Sequence, residues 1–128
     1  MDLYIKDVGL VVDWKSMKKG GARYFGENNR QHRWQVHLYG YLLSKNGYEV
    51  NAVSIVGIPR DGKMKDILVF AEAYSPDIAQ EALEHLTKTK VMVAENLPPA
   101  PEKPLNFCAD FCPFYDPKGE IGCPSTIK

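Results

Sequence analysis

The sequence predicts an α/β domain in which a mixed central sheet is flanked by helices. Short apolar runs of strand length alternate with two longer segments in which apolar residues recur at helical spacing. A chain of 128 residues with 45% hydrophobic content suffices for one domain with a modest core. We expect this core to cover residues 1–97, followed by a proline-rich connector (98–106) and a cysteine-containing segment (107–128) packed on the core.

Two strands are predicted at the start of the chain, over residues 3–5 and over an apolar run that ends at Asp13. Side chains alternate along a strand, so Asp13 and Lys15 point to the same side. If residues 6–9 form a hairpin turn, Asp2 and Asp13 converge on one hard divalent cation, for which Mg²⁺ or Mn²⁺ is suited. The alternative interpretation of the Asp-x-Lys triplet is a solvated strand end.

A basic loop is predicted over residues 16–21, and a helix then runs from Asn28 or Asn29 to about Asn46. The apolar residues of this helix that are expected to face the core are Trp34, Leu38, Tyr41 and Leu42. Gln35 lies on a neighbouring stripe, four residues before a tyrosine. The histidines of the chain, His32, His37 and His85, are interpreted as structural or surface residues.

The second half of the chain predicts two strands, over residues 50–58 and 66–74, joined by a turn. In the second of these, alternation places Ile67, Val69 and Ala71 on one face. Ser75-Pro76 is a typical helix start, and the helix is expected to end near Glu95.

The charges are balanced overall, with a formal net charge of zero, but they are unevenly distributed. A basic region interleaved with aromatic residues follows the second strand, and this mixture is typical of surfaces that bind a nucleic-acid strand. The residues predicted to contact nucleic acid are Lys18, Lys19, Arg23, Arg30 and Arg33. The alternative is a solvated charged face. No stretch has the ~18 apolar residues of a membrane span, and we expect an intracellular, cytoplasmic protein without a signal peptide or membrane partner.

Three cysteines, Cys108, Cys112 and Cys123, lie in an aromatic-rich segment near the end of the chain. Thiolates so spaced can hold a soft metal, either Zn²⁺ or a 4Fe–4S cluster. The fourth ligand would come from a partner chain or from a residue of this chain such as His85, Asp110 or Asp116. The alternative is three reduced cysteines packed as small hydrophobic residues.

The order and spacing of these motifs resemble the PD-(D/E)XK nuclease superfamily, and within it the RecB-like exonuclease branch with its CRISPR-associated and phage members. Asp2 matches the first aspartate of that branch. Asp13 and Lys15 match its acid-x-lysine strand, and Gln35 and Tyr39 match the Q-x-x-x-Y helix. The resemblance covers most of the chain, and it implies a restriction-endonuclease-like core.

The resemblance implies a divalent-metal-dependent DNA exonuclease that hydrolyses phosphodiester bonds with a metal-activated water. The two aspartates and the backbone carbonyl of Trp14 would bind Mg²⁺ or Mn²⁺, and Lys15 would orient the water or share in charge stabilisation. Gln35 and Tyr39 would position the DNA strand or the waters of the metal. Many members also end in a cysteine cluster that holds an iron–sulfur centre.

Members of the branch carry elements ahead of the first aspartate that do not precede Met1 here. We therefore expect a core without its N-terminal part, or one that a second copy or a separate chain completes. Two alternative functions remain open at this point. One is a catalytically inactive, nuclease-like module for DNA binding or assembly, and the other is an iron–sulfur or zinc interaction protein.

Overall fold

The structure is a computed structural model that describes residues 1–18, 20–21, 25–97, 112–113 and 115–116. The chain divides into two compact units, Met1–Leu83 and Glu84–Lys128, whose boundary falls within the last helix. The predicted connector and most of the cysteine-containing segment lie outside the described residues. The division into core, connector and segment therefore stays a prediction.

The first unit is built on a mixed four-stranded sheet. Its strands are β1 (Leu3–Ile5), β2 (Leu10–Met17), β3 (Ala52–Pro59) and β4 (Leu68–Ala73). They lie in the order β1-β2-β3-β4, with β2 and β3 parallel and the other two pairs antiparallel. The predicted α/β class with a mixed sheet is confirmed.

Two helices, α1 (Arg30–Lys45) and α2 (Pro76–Ala94), begin where the sequence predicts. The Asn29 side chain caps α1 by accepting a hydrogen bond from the backbone N–H of His32 at 3.0 Å. Pro76 is the first residue of α2, where its missing N–H costs nothing. Two parallel strands can be joined only by a crossover connection, and α1 lies in the crossover between β2 and β3. Among the described residues, no helix is long and apolar enough to cross a membrane.

The predicted hairpin between β1 and β2 is confirmed. Its turn is a 3₁₀ helix, Lys6–Val8, followed by Gly9 with a φ of 61°, a left-handed conformation that glycine adopts without steric cost. The backbone N–H of Asp2 donates to the carbonyl of Val12 at 3.2 Å. Asp2 directly precedes β1, whose first residue, Leu3, pairs with Val12, so Asp2 lies near Asp13 at this end of the hairpin.

The core lies between the sheet and α1. Its fully buried hydrophobic residues are Val11, Val36, Val53 and Ile55. Partly buried residues pack against them: Tyr4, Phe25, Tyr39, Leu43, Val50, Phe70 and Tyr74. Because side chains alternate along β2, Asp13 and Lys15 share the core-facing side of Val11. Trp14 points to the opposite face, where it is 54% exposed.

The face of α1 that is buried differs from the predicted one. Val36, His37 and Gly40 are buried, whereas Leu42 is 57% exposed. Both sets recur at helical spacing, so periodicity alone does not distinguish them. Gly40 marks the true face because a Cβ there would lie 2.8 Å from the ring of Tyr74. The absence of a side chain permits this close approach.

Strand β2 is longer than predicted. Ser16 and Met17 belong to it rather than to the basic loop, since they pair with Ile58 and Pro59 of β3. The backbone N–H of Arg60 donates to the Met17 carbonyl at 2.8 Å and extends this pairing by one bond. The end of β2 is therefore held in the sheet by main-chain pairing with β3.

Strand β4 is shorter than predicted because Met64–Asp66 forms a 3₁₀ helix ahead of it. Its more buried side chains are Leu68, Phe70 and Glu72, and the predicted stripe is on the more exposed face, with Val69 67% exposed. The core-facing side of β4 thus includes a glutamate, whose burial the spacing of apolar residues does not predict.

Candidate functional site

The Asp-x-Lys triplet forms a direct ion pair on the α1-facing side of β2. Lys15 Nζ lies 2.7 Å from Asp13 Oδ2. Asp13 is buried, with 4% of its surface exposed, and the Lys15 side chain is 21% exposed. The alternation of the strand therefore brings the two groups together as predicted. A buried carboxylate at this position is stabilised by the adjacent cation.

Helix α1 contributes the next two members of the site. Lys15 Nζ donates a hydrogen bond to Gln35 Oε1 at 2.6 Å, and Gln35 Nε2 donates to the Tyr39 hydroxyl at 2.7 Å. Residues four apart on a helix lie on one face, which allows this contact. All four predicted catalytic residues thus form one continuous chain from Asp13 to Tyr39. Gln35 is therefore hydrogen-bonded on both sides, to Lys15 and to Tyr39.

Asp2 lies at the open end of β1, next to the same segment of β2. Its Oδ2 accepts a hydrogen bond from the backbone N–H of Trp14 at 2.6 Å. In a strand the N–H and C=O of one residue point to the same side, so the Trp14 carbonyl is directed toward the β1 side as well. The amino group of Met1 lies 3.8 Å from Asp13 Oδ1.

The donors at this edge are carboxylate and carbonyl oxygens, which fit a hard cation such as Mg²⁺ or Mn²⁺. Asp2 and Asp13 are the predicted carboxylate ligands, and the Trp14 carbonyl is the predicted main-chain ligand. No group of three or more His, Cys, Asp or Glu side chains suited to a metal occurs in the described part of the chain. The predicted ligand set thus depends on two carboxylates and a main-chain oxygen, and it remains a prediction.

His32 is a member of this neighbourhood that the sequence interpretation assigned to a structural or surface role. Burial lowers the pKa of its imidazole, and the positive charge of Lys15 lowers it further, against a smaller opposing effect of Asp13. Its Nδ1 is buried and has no hydrogen-bond partner among the residues that the structure describes. The spacing to Gln35 and Tyr39, three and seven residues, is the signal that could have identified it.

A second polar cluster links α1 to β4. Arg33 donates two hydrogen bonds to Glu72, from Nε to Oε1 and from Nη2 to Oε2, each at 2.7 Å. His37, with no exposed surface, has its Nε2 3.1 Å from Glu72 Oε1. Its Nδ1 accepts from the backbone N–H of Ser75 at 3.1 Å, so in the neutral ring the proton is on Nε2.

The pKa values of the Glu72 cluster follow from these contacts. Hydrogen bonds from Arg33 hold the pKa of Glu72 below its usual value, and the hydrogen bond to His37 adds to this. Burial lowers the pKa of His37 despite the nearby carboxylate. The hydrogen bond to Glu72 raises the pKa of Arg33. The native arrangement is therefore an ionised glutamate between an arginine and a neutral histidine.

The stability of the protein is expected to decrease as the pH falls. Below the usual pKa of 6.5, the unfolded chain protonates His32 and His37 more readily than the folded chain does, because burial lowers both pKa values. Glu72 adds a second loss below its usual value of 4.5. Urea denaturation from about pH 7.5 to about pH 4 measures this. A free energy of unfolding independent of pH over this range would contradict it.

The basic residues predicted to contact nucleic acid differ in their surroundings. Arg33 is held by Glu72, as described above. Arg30 pairs with Glu81 at 2.7 Å and its guanidinium lies 4.1 Å from the centre of the Trp34 ring. The remaining predicted residue that the structure describes, Lys18, is exposed. Lys19 and Arg23 lie outside the described residues, and the DNA contact of all five stays a prediction.

Of the three predicted cysteine ligands, only Cys112 is described. It is half-buried and its thiol is free of a disulfide, while its carbonyl accepts a hydrogen bond from the backbone N–H of Tyr115 at 3.1 Å. Cys108 and Cys123 lie outside the described residues. A zinc or iron–sulfur site in this segment therefore stays a prediction.

The comparison with known families agrees with the geometry of the site. The sequence model of the PD-(D/E)XK nuclease superfamily matches residues 1–116, which include the complete chain of contacts from Asp13 to Tyr39. Comparison with curated proteins and with solved structures finds no match. Members of the superfamily are generally nucleases that use divalent metals such as Mg²⁺. With a match that covers most of its length, a mixed α/β sheet and the Asp-x-Lys strand in place, this chain belongs to the PD-(D/E)XK nuclease superfamily.

Proposed function

We propose that this chain is a magnesium- or manganese-dependent deoxyribonuclease of the RecB-like type that removes nucleotides from DNA ends. The observation that supports the proposal best is the contact of Lys15 with both Asp13 and Gln35, at 2.7 and 2.6 Å. This contact joins the strand and the helix that carry the acid-x-lysine and Q-x-x-x-Y motifs.

Asp2, Asp13 and the Trp14 carbonyl are the groups proposed to hold the cation. A divalent ion bound by such oxygens lowers the pKa of a coordinated water and stabilises charge on the phosphate. Asp13 suits this role because it is buried and fixed in a strand, so that little side-chain entropy is lost on binding. Asp2 lies just ahead of β1, where its carboxylate accepts a hydrogen bond from the Trp14 N–H.

Lys15 is proposed to supply a positive charge at the reacting phosphate. Charged donors placed in advance where negative charge develops stabilise a transition state without reorganisation. Gln35 fixes the ammonium group through its amide oxygen, and Tyr39 in turn holds the amide of Gln35. These two residues of α1 therefore orient Lys15, and they are proposed to contact the DNA strand as well.

The exposed Lys18 and the ion-paired Arg30 and Arg33 lie at the end of β2 and in the first turns of α1. We propose that they bind phosphates of the DNA on the approach to Asp13, and that Glu81 releases Arg30 for this contact. The Arg30–Glu81 pair is exposed, at 60% and 52% of the two side chains, so breaking it costs little.

A second candidate is a nuclease-like module that binds DNA without cutting it. The ion pair of Asp13 favours this alternative, since Lys15 lies 2.7 Å from one carboxylate oxygen. A cation would have to compete with Lys15. Activity measurements decide between the two functions.

The proposed function is tested by incubating labelled linear and circular DNA with the protein and Mg²⁺ or Mn²⁺. We expect the linear DNA to be degraded and the circular DNA to stay intact, with no degradation in EDTA. Lys15→Ala should lower the rate about a hundred-fold or more, because a positioned charge is removed. Its control is Lys6→Ala in the β1–β2 turn. DNA binding without hydrolysis under either ion would establish the second candidate.

A further inference from the structure

His32 lies on the same face of α1 as the two helical residues of the site. It precedes Gln35 by three residues and Tyr39 by seven, a spacing that lines up side chains along one side of a helix. The Asn29 side chain holds the backbone N–H of His32, so the position of the residue in the first turn is fixed. The direction of α1 places His32 one turn beyond Gln35, on the side of the helix start.

The hydrogen bonding of the His32 ring is incomplete. Nδ1 is buried and no group of the described residues bonds to it, whereas Nε2 is not a buried atom without a partner. A buried N–H without a partner is rarer than a buried acceptor without one. The neutral ring is therefore assigned the tautomer with the proton on Nε2. This leaves one N–H donor that no group of the described residues accepts.

The electrostatics of the site agree with a neutral donor at this position. Burial and the nearby Lys15 cation both lower the pKa of the imidazole, so the ring is neutral at neutral pH. A neutral N–H can approach a phosphate next to an ammonium group without repelling that group. Hydrogen bonds of this kind to a charged acceptor are stronger than those between neutral groups.

We propose that His32 is a further nucleic-acid-binding residue of this site, whose Nε2–H donates a hydrogen bond to a non-bridging phosphate oxygen of the bound strand beside Lys15. The proposal rests on the proposed function. In this proposal, three polar residues of α1 have different roles. His32 contacts the strand, Gln35 holds Lys15, and Tyr39 holds Gln35.

The test measures binding and stability separately. Affinity for a fluorescently labelled DNA strand is determined by anisotropy in Ca²⁺, for the parent, His32→Ala and His32→Gln. We expect His32→Ala to bind about ten-fold more weakly, as one hydrogen bond to a charged acceptor is lost. Glutamine reaches a similar position with an amide N–H and should restore most of the affinity. The matched control is Ser44→Ala, at an exposed position near the other end of α1, which should bind as the parent does.

Thermal unfolding distinguishes this role from a structural one. Nδ1 of His32 has no hydrogen-bond partner within the described residues, so His32→Ala should retain the melting temperature of the parent to within a few degrees. Parental affinity of His32→Ala would overturn the proposal. A large loss of melting temperature together with weak binding that glutamine does not restore would also overturn it.

The same measurements keep this proposal apart from the nuclease assignment. If the parent binds DNA through His32 but hydrolyses none under Mg²⁺ or Mn²⁺, the proposed hydrolysis fails and the role of His32 stands. If the parent hydrolyses DNA and His32→Ala binds as the parent does, only the role of His32 fails. A parent that binds no DNA overturns both.

Discussion

Replacing Asp13 with asparagine is expected to abolish metal-dependent DNA hydrolysis, with a loss on the order of a thousand-fold or more. Asp13 is the buried carboxylate of the site and the ion-pair partner of Lys15 at 2.7 Å. The amide retains the shape of the side chain but removes the negative charge. The variant therefore loses both the strongest proposed metal ligand and the charge that holds Lys15 in place.

The measurement is the rate of degradation of labelled linear DNA in Mg²⁺ and in Mn²⁺, with far-UV circular dichroism to verify the fold. Asp7→Asn is the matched control, because Asp7 is an exposed acid in the turn of the same hairpin. It should retain the parental rate. If Asp13→Asn keeps a rate within about ten-fold of the parent, the metal site must lie elsewhere.

Replacing Glu72 with alanine is expected to destabilise the fold by about 2–3 kcal/mol. Glu72 accepts two hydrogen bonds from Arg33 and one from His37, and its side chain is only 23% exposed. The substitution leaves an arginine without its counter-charge and a fully buried imidazole N–H without its acceptor. Such orphaned buried groups cost more than the net value of the bonds they lose.

Urea denaturation monitored by tryptophan fluorescence gives the free energy of unfolding for parent and variant. Glu72→Gln keeps hydrogen-bonding capacity without the charge and should lie between the two. Glu27→Ala is the control, since Glu27 is an exposed acid ahead of α1. Equal stabilities of Glu72→Ala and the parent would show that the cluster does not anchor α1 to β4.

The Glu72 cluster also bears on the candidate site through the rotation of α1. Arg33 and His37 hold one side of the helix to β4 and the start of α2. Gln35, between them in sequence, holds Lys15 on β2. Helix α1 thus contacts β2 through Gln35 and β4 through Arg33 and His37, which lie on different faces of the helix. This arrangement fixes the direction in which Gln35 points.

Local signals in the sequence predicted much of this fold. Asn29 and Pro76 mark the starts of both helices, because a capping side chain and a proline act within a few residues. Gly9 ends the hairpin turn with a positive φ. The Asp13–Lys15 pair follows from the two-residue period of a strand, and the Gln35–Tyr39 bond follows from the helical turn.

The features that the sequence did not predict depend on contacts between distant residues. The buried face of α1 is decided by the close approach of Tyr74 to Gly40, from a residue 34 positions away. Glu72 lies on the buried face of β4 because Arg33 and His37 neutralise and hydrogen-bond it there. An isolated strand pattern gives no reason to bury a glutamate.

The sequence by itself determined the succession of strands and helices along the chain and the hairpin, since these depend on signals that act within a few residues. It also determined the residue pairs of the Asp-x-Lys and Q-x-x-x-Y motifs, since each pair depends on the period of one element. Only the tertiary structure decided that Lys15 bonds to Gln35, that His32 lies near this contact and that Arg33 holds Glu72. These contacts join residues from different elements. Their geometry depends on how β2, α1 and β4 pack, which no single element specifies.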